Sequence, residues 1–266
     1  MSNDKELVHR FCTPQFIPFS EFEKNAFLNA KKVEFPFENE NLTGYFWGEG
    51  RTVLLIHGWG SRASHLAVLG RFLAKAGFRV FVFDAPAHSS TAFPLKKSLT
   101  NMFEYGKAIY ETAGSIGPIY AAIGHSFGAI CAAFAVSGIA AFSKYKIFTK
   151  KLILISTPPK LTDVYLSFCR KDQTGENGFA VLKSMLEKEF NFISEDYTIE
   201  NSLRNISSDI LLIHDTNDEE FPVSEIYQLQ KSFPGVNIFI TEGYGHKRIL
   251  GNRLMMARIK EYLLEE

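Results

Sequence analysis

The chain of 266 residues is long enough to bury a substantial core and suits one large α/β domain with room for an insertion. Its 29 basic and 29 acidic residues cancel, so no long-range field draws it to nucleic acid or to an anionic membrane surface. Cys12, Cys131 and Cys169 are odd in number, far apart and without metal spacing; they argue against a disulfide framework and fit a reducing cytoplasm. The polar start Met1–Glu6 is followed by no apolar signal core, and no apolar run reaches membrane-spanning length. The 25 phenylalanines are unusual; most suit the core, and some suit the wall of an apolar pocket.

Residues 1–30 read as a polar-aromatic lead-in with a short helix around Phe22–Asn29. Val33–Phe37 and Leu42–Trp47 flank the turn-like Glu38-Asn39-Glu40-Asn41 and predict an antiparallel hairpin. From Arg51 onward strands and helices alternate. Val53–His57 predicts a buried strand, Ala63–Ala76 a helix closed by Gly77, Arg79–Asp84 a strand, and Lys96–Ala113 a helix. Further apolar runs at Ile119–Ile123, Leu152–Ser156, Ile210–His214 and Val236–Ile240 predict strands, and Asn252–Leu264 the last helix. Near-continuous apolar runs belong to strands buried on both faces, and the alternation predicts a doubly wound, mostly parallel sheet. About fifty residues, Pro158–Ser208, separate two of these strands, far more than a crossover needs. With helix-like Leu161–Cys169 and Gly178–Phe190 around a polar Asp172–Asn177 loop, they predict a helical cap over the C-terminal edge of the sheet, where ligands bind in open α/β folds.

The chemistry centres on Gly124-His125-Ser126-Phe127-Gly128. An apolar strand precedes this Gly-x-Ser-x-Gly pentapeptide and a small-residue helix, Ala129–Ala135, follows, so Ser126 falls on a sharp strand-to-helix turn with its hydroxyl exposed. A serine hydroxyl needs a base, and the base an orienting acid. His246, in Gly243-Tyr244-Gly245-His246-Lys247, follows the last strand and suits the base. Asp218 lies in the loop after the preceding strand and suits the acid, with Asp215, Glu219 and Glu220 as competitors on the same loop.

These motifs, with His57-Gly58-Trp59-Gly60 after the first parallel strand and Asp84-Ala85-Pro86-Ala87-His88-Ser89, resemble the α/β-hydrolase superfamily from about Val33 to the C-terminus. The alanines of the second motif, Gly245-His246-Lys247-Arg248-Ile249-Leu250 and the Thr13-Pro14 lead-in look like a narrower bacterial branch. The resemblance implies an eight-stranded α/β-hydrolase fold with an N-terminal antiparallel hairpin, its core made of residues 1–157 and 209–266 and its cap, residues 158–208, inserted after the sixth strand. It favours Asp218, which aligns with the acid of the family's Gly-x-x-Asp pattern, and it implies an oxyanion hole from the backbone N–H groups of Trp59 and Phe127. His57, His88 and Asp84 become loop-organising residues, and Ala87, where the family has glycine, puts a left-handed backbone there in doubt.

The expected activity is hydrolysis of a carboxylic ester or thioester, with an amide as a further option, of a small, moderately apolar substrate through an acyl-enzyme. An acyltransferase with the same triad, and a homologue that binds a small molecule or a partner without turnover, are the alternatives. No cofactor and no metal site is expected. Trp59, His125, Phe168 and Phe179 are candidates for the substrate pocket; Phe168 and Phe179, with Phe190 and Phe192, compete with the reading that they form the cap's own core.

Overall fold

The computed structural model describes residues 3–15, 18–88 and 97–265. Its first element is one the sequence reading passes over: helix α1, Asn3–Cys12, with Leu7 and Val8 buried. The short helix expected near Phe22 is a 3₁₀ turn, Glu21–Asn25. The hairpin follows as β1, Lys31–Phe37, and β2, Glu40–Trp47, around a tight turn in which Glu38 is left-handed (φ 52°). The chain then alternates through β3, Thr52–Ile56; α2, Ala63–Lys75; β4, Arg79–Phe83; α3, Met102–Ile116; β5, Ala121–His125; α4, Phe127–Ser137; and β6, Lys151–Ile155. Residues 158–208 hold α5, Leu161–Lys171, α6, Gly175–Phe190, and α7, Ile199–Leu203. The chain closes with β7, Asp209–Asp215; α8, Val223–Ser232; β8, Asn237–Thr241; α9, Gly245–Arg248; and α10, Arg253–Leu264.

One eight-stranded sheet runs in the order β1-β2-β4-β3-β5-β6-β7-β8. β2 is antiparallel to β1 and to β4, and every pairing from β4 to β8 is parallel. Alternation along the strands splits the core in two. Leu54, Phe81, Phe83, Ala122, Leu152 and Leu212 join the layer with α3 and α4, and Val53, Val80, Val82, Ile123, Ile153 and Leu211 the layer with α2 and α10. Helix α4 is buried along its whole length, as a central helix without a polar face must be. Helix α3 starts later than its apolar pattern suggests, because Asn101 caps it by accepting from the N–H groups of Phe103 and Glu104 (3.0 Å each). Lys96, the start read from sequence, lies outside the described residues.

The lead-in is pinned beside the sheet edge by a buried carboxylate. Glu23 accepts from Arg62 (Nε, 2.8 Å), Ser64 Oγ (2.6 Å) and the Ser20 N–H (3.0 Å). Burial opposes its ionisation, but these donors and the Arg62 charge outweigh that and hold its pKa down at about 2. The ionised pair therefore contributes on the order of 3 kcal/mol that is complete above pH 4.5 and lost between there and about pH 2. Glu23→Gln should lower stability at neutral pH by about 3 kcal/mol, since it removes the buried carboxylate charge that Arg62, Ser64 and Ser20 converge on. Urea unfolding of the two proteins measures the difference, and a change below about 1 kcal/mol would contradict the assigned role.

Candidate active site

Ser126, Asp218 and His246 follow the C-terminal ends of β5, β7 and β8, so three positions far apart in the chain share one edge of the sheet. Ser126 sits at φ 55°, ψ −125°, a strained conformation for a side-chain-bearing residue. It is held there by its own N–H, which donates to Ile155 O (2.9 Å), and by its carbonyl, which accepts from the Ala129 (2.9 Å) and Ile130 (3.2 Å) N–H groups. The flanking glycines are a steric requirement. A Cβ on Gly128 would lie 2.1 Å from His57 O, and one on Gly124 2.4 Å from Ala129 Cα. The turn thus brings α4 into backbone contact with β3 and β5.

Ser126 Oγ lies 2.8 Å from His246 Nε2, and His246 Nδ1 lies 2.8 Å from Asp218 Oδ2. The other oxygen of Asp218 accepts from the N–H groups of Glu220 (2.9 Å) and Phe221 (3.1 Å). Burial pushes the Asp218 carboxyl up, but the His246 hydrogen bond and charge and the Phe221 N–H hold it below the usual range, so it is ionised at neutral pH. Asp215 makes no contact with the imidazole. Buried beneath the loop, it accepts from Thr241 Oγ1 (2.6 Å) and from the N–H groups of Asn217 (3.0 Å), Tyr244 (3.2 Å) and Gly245 (2.8 Å). Of the two aspartates, one faces His246 and the other ties the β7 loop to the loop that carries His246. Glu219 makes no contact with the imidazole, whereas Glu220 reaches within 3.7 Å of Nε2 and pairs with Lys171 of α5 (2.8 Å). Burial raises Glu220, and the His246 and Lys171 charges more than offset it.

Three further histidines shape the surroundings, each kept neutral chiefly by burial. His125 does not line the cavity; it lies behind His246, and its Nε2–H donates to His246 O (2.8 Å), its pKa driven down to about 3. His57 Nε2 accepts the Ala85 N–H (3.0 Å), and the Tyr105 hydroxyl donates to His57 O. His88 Nε2 accepts the Gly60 N–H (3.1 Å) while its Nδ1–H donates to Pro86 O (2.8 Å), its pKa falling to about 4. Asp84 accepts the Ala63 N–H at the start of α2 (2.8 Å). Ala87 is left-handed after all (φ 59°); the hydrogen bonds on either side impose the conformation that glycine would adopt freely. Ser89, the last residue of that motif, lies outside the described residues. The Trp59 turn is therefore braced from two sides, and the Phe127 N–H is the first of α4's N-terminal donors, which have no partner within the helix.

Against Phe127, the residue after Ser126, lies a narrow apolar cavity of about 20 Å³, partly open to solvent. Trp59, Phe127, Phe103, Tyr165, Phe190 and Phe192 are among its walls. Phe168 and Phe179 are not. Phe11 of α1 stands edge-on against Phe168 (5.2 Å between centroids) and takes its place. Phe179 lies seven residues before the lining Leu186 on α6, about 10 Å along the helix. The sequence reading missed Phe11 and Cys12, although Leu7, Val8, Phe11 and Cys12 recur at helical spacing and mark one apolar face. Among the described residues no three His, Cys, Asp or Glu side chains gather as a metal-holding group.

A model of the alpha/beta hydrolase family matches residues 53–253, well over half of the chain, and the chain belongs to that family. Solved structures share its fold. The esterase Pf2001 of Pyrococcus furiosus superposes with a TM-score of 0.67 at 21% identity, over 94% of this chain and 95% of that one. The thioesterase domain from the curacin biosynthetic pathway gives 0.60 at 15% identity, over 89% and 99%. A bromoperoxidase from Bacillus anthracis gives 0.65 at 13% identity, over 89% and 100%. No curated protein matches the chain in sequence.

Asp215→Ala should strip three N–H groups and one hydroxyl of their acceptor and cost about 2–3 kcal/mol of stability. Asp218→Asn keeps an acceptor for the Glu220 and Phe221 N–H groups and should cost much less. Thermal unfolding of both variants checks the order; a larger loss for Asp218→Asn would reverse the two roles.

Proposed function

We propose that the protein is a serine hydrolase acting on a carboxylic ester or thioester of a small, moderately apolar substrate. The observation that carries this reading is the unbroken relay from Ser126 Oγ through His246 to Asp218, with both links at 2.8 Å. Ser126 Oγ attacks the acyl carbon and passes its proton to His246 Nε2. The imidazolium that forms is stabilised by ionised Asp218, which also fixes the tautomer with Nδ1–H. The carbonyl oxygen, now an oxyanion, accepts from the Trp59 and Phe127 N–H groups, and the N-terminal end of α4 adds its positive dipole. His246 returns the proton to the leaving alcohol or thiol. Water then enters, gives its proton to His246, and its oxygen attacks the acyl-enzyme; the acid leaves as Ser126 regains its proton. Residues 158–208 act in this reading as a cap whose Tyr165, Phe190 and Phe192 cover the acyl group. Family membership and the esterase and thioesterase names among the structures of like fold agree with it. Among the described residues no helix is long and apolar enough to cross a membrane.

Labelling with a fluorophosphonate, followed by mass spectrometry, should find the adduct on Ser126. Ser126→Ala should abolish it and lower kcat on p-nitrophenyl esters by about 10³ or more. Equal labelling of both proteins would remove the nucleophile from this reading. Asp218→Asn should lower kcat on the order of 10⁴, because the amide favours the wrong imidazole tautomer, and wild-type turnover in that variant would show that Asp218 is not the acid.

A further inference from the structure

Helix α1 precedes the residues 53–253 shared with the family, yet it forms part of the cavity. Its Leu7 and Val8 are buried in the same core as α6. Phe11 lies nearly parallel to Trp59 (6.1 Å between centroids, 16°) and edge-on to Tyr165 (5.3 Å, 83°). Cys12 lines the cavity beside it, and burial pushes its thiol up to about 12, so it is a small apolar side chain rather than a nucleophile.

Two ties hold the C-terminal end of α1. The Thr100 N–H donates to Cys12 O (2.9 Å), joining α1 to the segment that enters α3. Arg10 clasps Asp172, at the turn between α5 and α6, with Nε to Oδ1 at 3.1 Å and Nη2 to Oδ2 at 2.8 Å. A forked pair of this kind fixes geometry as well as proximity. Trp59 connects this wall to the reacting atoms: its ring meets Phe127 edge-on on one side (5.1 Å, 79°) and Phe11 on another. An acyl chain leaving the carbonyl site along Trp59 would therefore run toward α1.

We propose that α1 is a specificity element of this site: Phe11 and Cys12 set how long an apolar acyl chain can be, and the Arg10–Asp172 pair holds that wall in position. The inference rests on the serine-hydrolase reading for the origin of the chain but on α1's own contacts for its limit. Each methylene that gains or loses burial changes binding roughly fourfold.

The test compares rates of Ser126 labelling by straight-chain alkyl fluorophosphonates from butyl to dodecyl. Phe11→Ala, by opening the wall, should raise the decyl-to-butyl rate ratio about tenfold, and Cys12→Phe, by closing it, should lower the ratio by a similar factor. Arg10→Asp and Asp172→Arg should each weaken chain-length discrimination, and the double charge exchange should restore it. A second readout needs no chemistry: quenching of tryptophan fluorescence by decanoate and by butanoate should show the same selective change in Kd for Phe11→Ala and Cys12→Phe. Folded variants that keep the wild-type ratio in both assays overturn the role of α1. Absence of Ser126 labelling with every reagent, alongside altered decanoate binding, overturns the hydrolase reading and leaves the role of α1 standing.

Discussion

The site depends on how closely α4 approaches the strands beneath it. Gly128 brings the helix against the carbonyls of Ile56 and His57, and Gly124 lets β5 turn directly into it. A single methyl group at either position would occupy space already filled by backbone, and backbone cannot rotate aside as a side chain can. From this contact follow the positive φ of Ser126, the aim of its hydroxyl out of the sheet edge and the placement of α4's first N–H groups beside it. The small-residue sequence of α4 serves the same end, since a bulkier helix could not be buried on all sides at that distance.

Around this rigid centre the polar groups divide their labour by which atoms they can reach. Asp218 has one oxygen for an imidazole and one for two backbone N–H groups. Asp215, three residues earlier, spends both oxygens on the loops. Glu220 stands on the serine side of His246, with its charge balanced by Lys171 from the helical segment 158–208. The loop bearing the proposed acid is thereby tied to that segment as well as to the sheet.

Most of the sheet was legible because its central strands are apolar on both faces and so appear as uninterrupted runs such as Val53–Ile56 and Leu152–Ile155. The serine turn was legible because its requirement is local: two glycines at fixed offsets and a strand and helix on either side. The choice between Asp215 and Asp218 rested on resemblance, because both lie on one loop and only the path of the loop decides which carboxylate turns toward His246. Helix α1 is not legible, for a different reason. It is short, half polar, and buries Leu7 and Val8 against partners far along the chain, a pairing that no local pattern announces. The left-handed Ala87 is likewise imposed by its surroundings, by the hydrogen bonds of His57 to the Ala85 N–H and of the His88 ring to Pro86 O.

The buried histidines also determine how the fold meets acid. His57, His88, His125 and His214 all have pKa values lowered chiefly by burial, and two of them use a bare ring nitrogen to hold a backbone N–H in place. In the unfolded chain each would take up a proton near pH 6.5, while in the native state each resists doing so. Every pH unit below that point therefore favours unfolding by up to about 1.4 kcal/mol per histidine until the native pKa is reached. These losses begin well before Glu23 approaches its own pKa of about 2. Acid is thus felt first by bases that must stay neutral and only at lower pH by carboxylates held charged, such as Asp215, Asp218 and Glu23, and the first of these losses falls on the same loops that brace the site.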